Sequence, residues 1–126
     1  MTKTVLAIED NKTNMVLISR IVEAEGYNLL KAEDGISALK LLEQENPDII
    51  LLDINIPGIH GLDIARKIKQ DDRLEHIPVI ATTANVLVGD KERCLEAGCD
   101  DYLPKPLDIR SLREMMRQYL SNRSAV

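Results

Sequence analysis

Residues 47–61 read Pro47-Asp48-Ile49-Ile50-Leu51-Leu52-Asp53-Ile54-Asn55-Ile56-Pro57-Gly58-Ile59-His60-Gly61. A short apolar run bounded by a proline and by turn residues has the pattern of a strand buried on both faces, as in a parallel sheet covered by helices. The strand over Asp48 to Leu52 closes on a carboxylate, Asp53, and the segment Ile56 to Gly61 then supplies turn chemistry. An apolar strand that ends in a charge at the mouth of a loop is where both the fold and the site begin to be legible.

Outward from that stretch, short β-type runs alternate with longer segments of helical period, the pattern of repeated βα units. Val5 to Ile8 reads as the first strand, followed by a helix from about Thr13 that stops at Gly26, a natural residue after a helix end. Tyr27 to Ala32 reads as the second strand. Asp34 can cap a helix carrying Ile36, Leu39, Leu41 and Leu42, which ends before Pro47. Leu62, Ile64, Ala65 and Ile68 form a third helical stripe, and Pro78 to Thr82 a fourth strand. A fourth helix falls within Val86 to Ala97 and stops at Gly98, Tyr102-Leu103 marks a short fifth strand, and Asp108 caps a last helix through about Leu120. The predicted class is α/β, a doubly wound five-stranded parallel sheet in one domain over residues 1–126, with 121–126 as a frayed tail.

Composition narrows the function. The chain has no Phe or Trp, so its core is aliphatic, and no apolar run approaches the roughly 20 residues that cross a bilayer. No secretory signal pattern opens the sequence, which predicts a cytoplasmic location. A formal net charge of −5 opposes a phosphate backbone, and no Lys/Arg cluster with interleaved aromatics overrides it, so direct nucleic-acid binding is disfavoured. Cys94 and Cys99 lack metal-ligand or dithiol spacing and read as reduced structural thiols, while His60 and His76 read as solvated loop histidines.

The chemistry lies where polar residues break the apolar strands. Glu9 and Asp10 follow strand one, Asp53 closes strand three, Thr83 follows strand four and Lys105 follows strand five. In an open parallel sheet these positions share the carboxyl edge, where such folds bind ligands. Three carboxylates brought together repel, which calls for a cation between them, and oxygen-seeking Mg²⁺ suits Glu9, Asp10 and Asp53. Lys105 would face a phosphate oxygen, Thr83 adds a hydroxyl donor, and the Asp53 carboxylate can attack phosphorus.

With these residues the chain closely resembles the receiver domains of bacterial two-component response regulators, the CheY-like superfamily, over residues 3 to about 120. The resemblance rests on Glu9-Asp10, on Asp53 within Leu52 to Gly61, on Thr83-Ala84, and on Tyr102-Leu103-Pro104-Lys105-Pro106. It implies that Asp53 is phosphorylated, that Asp10 ligates Mg²⁺ directly, Glu9 through water and Asn55 through its carbonyl, and that Thr83 and Tyr102 are a switch pair. It further implies strand order 2-1-3-4-5, a cis Lys105-Pro106 peptide and a phosphate flanked by Asn55 and Asn85. The donor would be a phosphohistidine on a histidine kinase or histidine phosphotransfer protein. The downstream protein would bind around helix four, strand five and helix five. Glu9 stands where an aspartate is common, and Ile56 and Ile59 where methionines are, both mild changes. The strings Glu9 to Asn14 and Ala81 to Asn85 look most like receivers of hybrid kinases and of small DivK-type regulators.

Other classes fit less well. An Asp-nucleophile phosphohydrolase needs a second Asp two residues on, where this chain has Asn55, so no enzyme activity is expected beyond self-phosphorylation and dephosphorylation. Neither a P-loop nor a dinucleotide loop follows strand one. A phosphate-independent binding module is the alternative, and a receiver cut from a longer hybrid kinase competes with a stand-alone shuttle. Finally, the first helix is more apolar than one core face needs, and a wheel sets Met15, Ile18 and Val22 apart from Leu17, Ile21 and Ala24. The first trio is expected either to dock the phosphodonor's helix or to pack against the last helix.

Overall fold

The computed structural model describes residues 2–56, 60–84 and 90–121. The turn residues Pro57, Gly58 and Ile59, the phosphate-flanking position Asn85, the start of the fourth helix from Val86, and residues 122–126 of the expected tail lie outside the described residues. Elements alternate strictly: β1 (Thr4–Ile8), α1 (Lys12–Ala24), β2 (Asn28–Ala32), α2 (Gly35–Gln44), β3 (Ile49–Asp53), α3 (Gly61–Lys69), β4 (Val79–Thr83), α4 (Asp90–Glu96), β5 (Asp101–Pro104) and α5 (Ile109–Ser121). All five strands are parallel, in the order β2-β1-β3-β4-β5. This doubly wound arrangement is the one expected from the alternating periods and the resemblance.

Local chemistry sets the boundaries. Asp34 accepts a hydrogen bond from the Ser37 amide at 2.7 Å and Asp108 one from the Ser111 amide at 2.9 Å, capping α2 and α5 as expected. Asn11 caps α1 by accepting from the Asn14 amide at 2.9 Å, so the helix starts one residue earlier than its apolar period indicates. At the other end of α1, Gly26 has φ +81° and the Gly26 and Tyr27 amides close on Glu23 O and Val22 O. The end of α4 repeats that device, with Gly98 at φ +104° and the Gly98 and Cys99 amides on Leu95 O and Cys94 O. The Lys105-Pro106 peptide is cis, as the resemblance implied.

Two aliphatic cores sandwich the sheet. Leu6, Ile8, Ile50 and Leu52 point to the face covered by α2, α3 and α4, whereas Val5, Ala7, Ile49 and Leu51 point to the face covered by α1 and α5. Cys94 and Cys99 are buried in the first of these cores, and burial pushes the Cys99 thiol up to about 12, so both read as packing residues. Among the described residues, no helix is long and apolar enough to cross a membrane.

The second core takes Ile18 and Val22, two of the three residues expected to dock the donor, out of reach and favours the alternative, packing against the last helix. Ile18 (2% exposed) and Val22 (0%) are buried with Ile21 against Leu112, Met116 and Leu120 of α5, and half-buried Met15 and Leu17 pack on the same cluster. The apolar excess of α1 has a structural cause: the helix is covered by the sheet and by α5 together and needs a wide stripe. Val16, 52% exposed, is the apolar residue that α1 turns outward.

Candidate functional site at the carboxyl edge

Parallel register brings the polar strand ends to one level. Ile8 pairs with Leu52, Asp53 with Thr82, and Thr83 with Pro104, so Glu9, Asp53, Thr83 and Lys105 all emerge at the carboxyl edge. Backbone bonds continue the ladder past the strands and fix these residues: Glu9 N donates to Ala32 O (3.0 Å), Ile54 N to Thr82 O (3.2 Å) and Lys105 N to Thr83 O (2.8 Å).

The side chains converge on a small volume. Lys105 Nζ lies 2.9 Å from Asp53 Oδ2 and 3.0 Å from Glu9 Oε1. Asp53 Oδ1 accepts from the Asn55 amide at 2.9 Å, and Glu9 Oε2 from the Asn11 amide at 3.0 Å. Glu9 and Asp53 are each 2% exposed and Thr83 is fully buried, while Asp10 and Asn55 are exposed. Burial pushes the Glu9 carboxyl above its ordinary range, with the neighbouring Asp53 charge adding to it, against the pull of the Asn11 amide and Lys105. Burial works against the Lys105 ammonium too, but the Asp53 and Glu9 carboxylates outweigh it and hold its pKa above the ordinary lysine value.

One atom is left unsatisfied. Glu9 Oε1 is buried and close to Lys105, yet no donor has hydrogen-bond geometry to it. Ligand oxygens of Glu9, Asp10 and Asp53 all lie within 4.8 Å of one another. An orphaned buried carboxylate oxygen beside two more carboxylates, with a single ammonium between them, is a donor set matched to a hard, oxygen-seeking cation such as Mg²⁺.

The structure thus brings together Glu9, Asp10, Asp53, Asn55 and Lys105, places Thr83 at the same sheet edge, and leaves Ile18 and Val22 out of reach in the core. Tyr102 stands on β5 with its ring half-buried against the α4-side core and Lys91 Nζ 5.8 Å from the ring centroid, a contact with no signal in the local sequence. His60, expected as a solvated loop residue, is exposed but also caps α3, its Nδ1 accepting from the Leu62 amide at 3.2 Å. A cleft of about 280 Å³ beside the acidic pair is lined by Asp10, Lys12, Met15, Val16 and Ser19. Another of similar size, between α2 and α3, is remote from this chemistry.

The chain is similar to known proteins over nearly its whole length. The family model described as "response regulator receiver domain" matches residues 5–117. The polar-differentiation response regulator DivK of Brucella ovis is 41% identical over 122 residues, covering 97% of this chain and 99% of the relative. The receiver domain of the sensor histidine kinase PA1611 from Pseudomonas aeruginosa, solved with a magnesium ion coordinated in the active site cleft, superposes with TM-score 0.87 at 34% identity, covering 96% of this chain and 99% of that one. The chemotaxis response regulator CheY4 of Vibrio cholerae shares the fold with TM-score 0.89 at 22% identity, covering 95% of this chain and 100% of that one. A sheet of order 2-1-3-4-5, an acidic cluster at its carboxyl edge and these matches over nearly the full length agree: the chain belongs to the response regulator receiver family of two-component signalling.

Proposed function

We propose that Asp53 is the residue this receiver phosphorylates, taking the phosphoryl group from a phosphohistidine of a histidine kinase or phosphotransfer protein. The observation that carries the reading is the setting of Asp53. Its carboxylate is 2% exposed yet fixed at both oxygens, by the Asn55 amide and by Lys105, within reach of two further carboxylates. A purely structural aspartate would not be packed against like charge.

One Asp53 oxygen attacks phosphorus, the P–N bond to the donor imidazole breaks, and the imidazole keeps the electron pair and takes a proton. Lys105 already sits 2.9 Å from the Asp53 carboxylate, where its ammonium can hold an oxygen of the incoming group. Magnesium held by Glu9, Asp10, Asp53 and the Asn55 carbonyl would neutralise the carboxylates and charge on the transferring group. Thr83, buried at the end of β4, would turn its hydroxyl onto the phosphoryl oxygens, and Tyr102 would follow into the space beside it. Signalling then passes to a protein that reads α4, β5 and α5. The protein does not turn over a separate substrate.

Intact mass after incubation with Mg²⁺ and acetyl phosphate tests the reading. The parent should gain one labile phosphoryl group and Asp53→Ala none. Equal gain by both would place the phosphoryl group on another residue and overturn the role of Asp53, and gain by neither at saturating donor would return the chain to the class of phosphate-independent binding modules.

A further inference from the structure

Tyr102 and Thr83 share one face of the sheet. Tyr102 pairs with Ala81 across β4 and β5, and Ala81 and Thr83 lie two residues apart on one strand, so their side chains point the same way. That is the face covered by α4, whose Cys94 and Ala97 are buried in the core on which the Tyr102 ring packs. The β5 backbone is held independently of the ring. The Tyr102 amide donates to Asp101 Oδ1 at 2.9 Å, and Asp101 Oδ2 accepts from the Tyr119 hydroxyl at 3.2 Å. Movement of the ring is therefore a side-chain rotation over a fixed strand.

Lys91 lies three residues before Cys94, on the same side of α4. Cys94 anchors that side to the core while the Lys91 ammonium stands over the Tyr102 ring, 5.8 Å from its centroid. If the ring rotates toward Thr83, as the proposed switch requires, the geometry that sets it 5.8 Å from Lys91 Nζ changes with it.

We infer that Lys91 is a positioning residue, a latch whose cation–π contact holds the Tyr102 ring in its half-buried place beside α4 and opposes its rotation toward Thr83. The inference rests on the proposed roles of Asp53, Thr83 and Tyr102. Because coupling between sites is reciprocal, a contact that phosphorylation must break also weakens the binding of the phosphoryl group's mimics. Loss of the latch should tighten that binding by about two- to fivefold, the size of an exposed cation–π pair.

A double-mutant cycle with beryllofluoride, a mimic of the aspartyl phosphate, tests this in the presence of Mg²⁺. Half-saturating concentration would be measured for the parent, Lys91→Met, Lys91→Arg, Tyr102→Leu and the Lys91→Met/Tyr102→Leu pair. Lys91→Met should bind more tightly by the stated factor, and Lys91→Arg, which keeps a cation over the ring, should behave as the parent. In the Tyr102→Leu background, Lys91→Met should change nothing. No change in Lys91→Met, weaker binding, or the same gain with and without the ring would each overturn the latch while leaving the proposed function standing. Failure of the parent to take up beryllofluoride, or equal uptake by Asp53→Ala, would overturn the proposed function and the latch with it.

Discussion

Lys105 and Lys69 sit at opposite edges of the same sheet and are used in opposite ways. At the amino edge, Lys69 at the end of α3 donates to Ile77 O (2.8 Å), Glu75 O (3.2 Å) and Asp100 Oδ2 (2.8 Å). Asp100 Oδ2 in turn accepts from the Val79 amide at the start of β4, also at 2.8 Å. One cation meets one carboxylate and two carbonyls, and its three protons are all used. At the carboxyl edge, Lys105 meets two carboxylates with a third nearby, and Glu9 Oε1, buried and ion-paired to Lys105 at 3.0 Å, receives no hydrogen bond of good geometry. Both lysines are mostly shielded, with side chains 20% and 15% exposed, so burial does not separate them. What separates them is satisfaction. The Lys69 end is closed, as a structural clamp should be, and the Lys105 end sets one ammonium against a cluster of three carboxylates, a donor set suited to a cation.

That contrast can be broken first at Lys105. Lys105→Met should lower the rate of phosphorylation by acetyl phosphate by about 10²-fold, the size of losing one preorganised charge-stabilising donor. Lys69→Met should leave that rate unchanged. Parent-like rates in Lys105→Met, measured by intact mass against time, would break the functional half of the comparison.

The structural half is exposed to the converse test. Lys69→Met should lower the free energy of unfolding in urea by about 1.5–3 kcal/mol, since it strips charge-assisted bonds from two carbonyls and from Asp100. A stability unchanged from the parent would show that the three contacts form no clamp.

How far this contrast could be read in advance depends on distance along the chain. The carboxyl edge was legible because each strand announces itself by an apolar run and each run ends in a residue too polar for the core, Asp53 after Ile49 to Leu52 being the clearest. The Lys69 clamp was not, because its carboxylate is 31 residues away and its other acceptors are loop carbonyls. Strand order came from resemblance to a family, since periodicity alone does not order parallel strands. The α1 face left two readings open for a related reason. A helical wheel shows that Ile18 and Val22 are apolar, but only the packed α5 shows that the surface is already covered. The Lys91–Tyr102 contact joins a helix to a strand 11 residues on, and no local pattern encodes it.

The two helix-ending glycines sharpen the picture of the clamped edge. Gly98→Ala places a Cβ 2.7 Å from Lys69 Cγ at φ +104°, whereas at Gly26, with φ +81°, nothing lies within 4 Å of an added Cβ. Both substitutions should cost about 1–2 kcal/mol for the left-handed backbone, and Gly98→Ala should cost more because it also displaces Lys69. Equal losses in thermal unfolding would mean that the Lys69 stem yields freely.

The smallest effect concerns pH. Glu9 has its pKa raised in the fold, so its ionised form is the disfavoured one there. Stability from this group is present at pH below its ordinary value of 4.5 and is lost as pH rises through the raised folded value. In chelator-treated protein, Glu9→Gln should therefore be more stable than the parent at neutral pH, with the advantage shrinking as pH falls. An advantage that grows toward acid would reverse the sign assigned to Glu9.

Of all these claims, the identity of the phosphorylated residue is central, and borohydride reads it chemically by reducing an aspartyl phosphate to homoserine. After treatment with Mg²⁺ and acetyl phosphate followed by borohydride, peptide mass mapping should place homoserine at position 53 alone. Reduction at another aspartate with Asp53 intact would contradict the account.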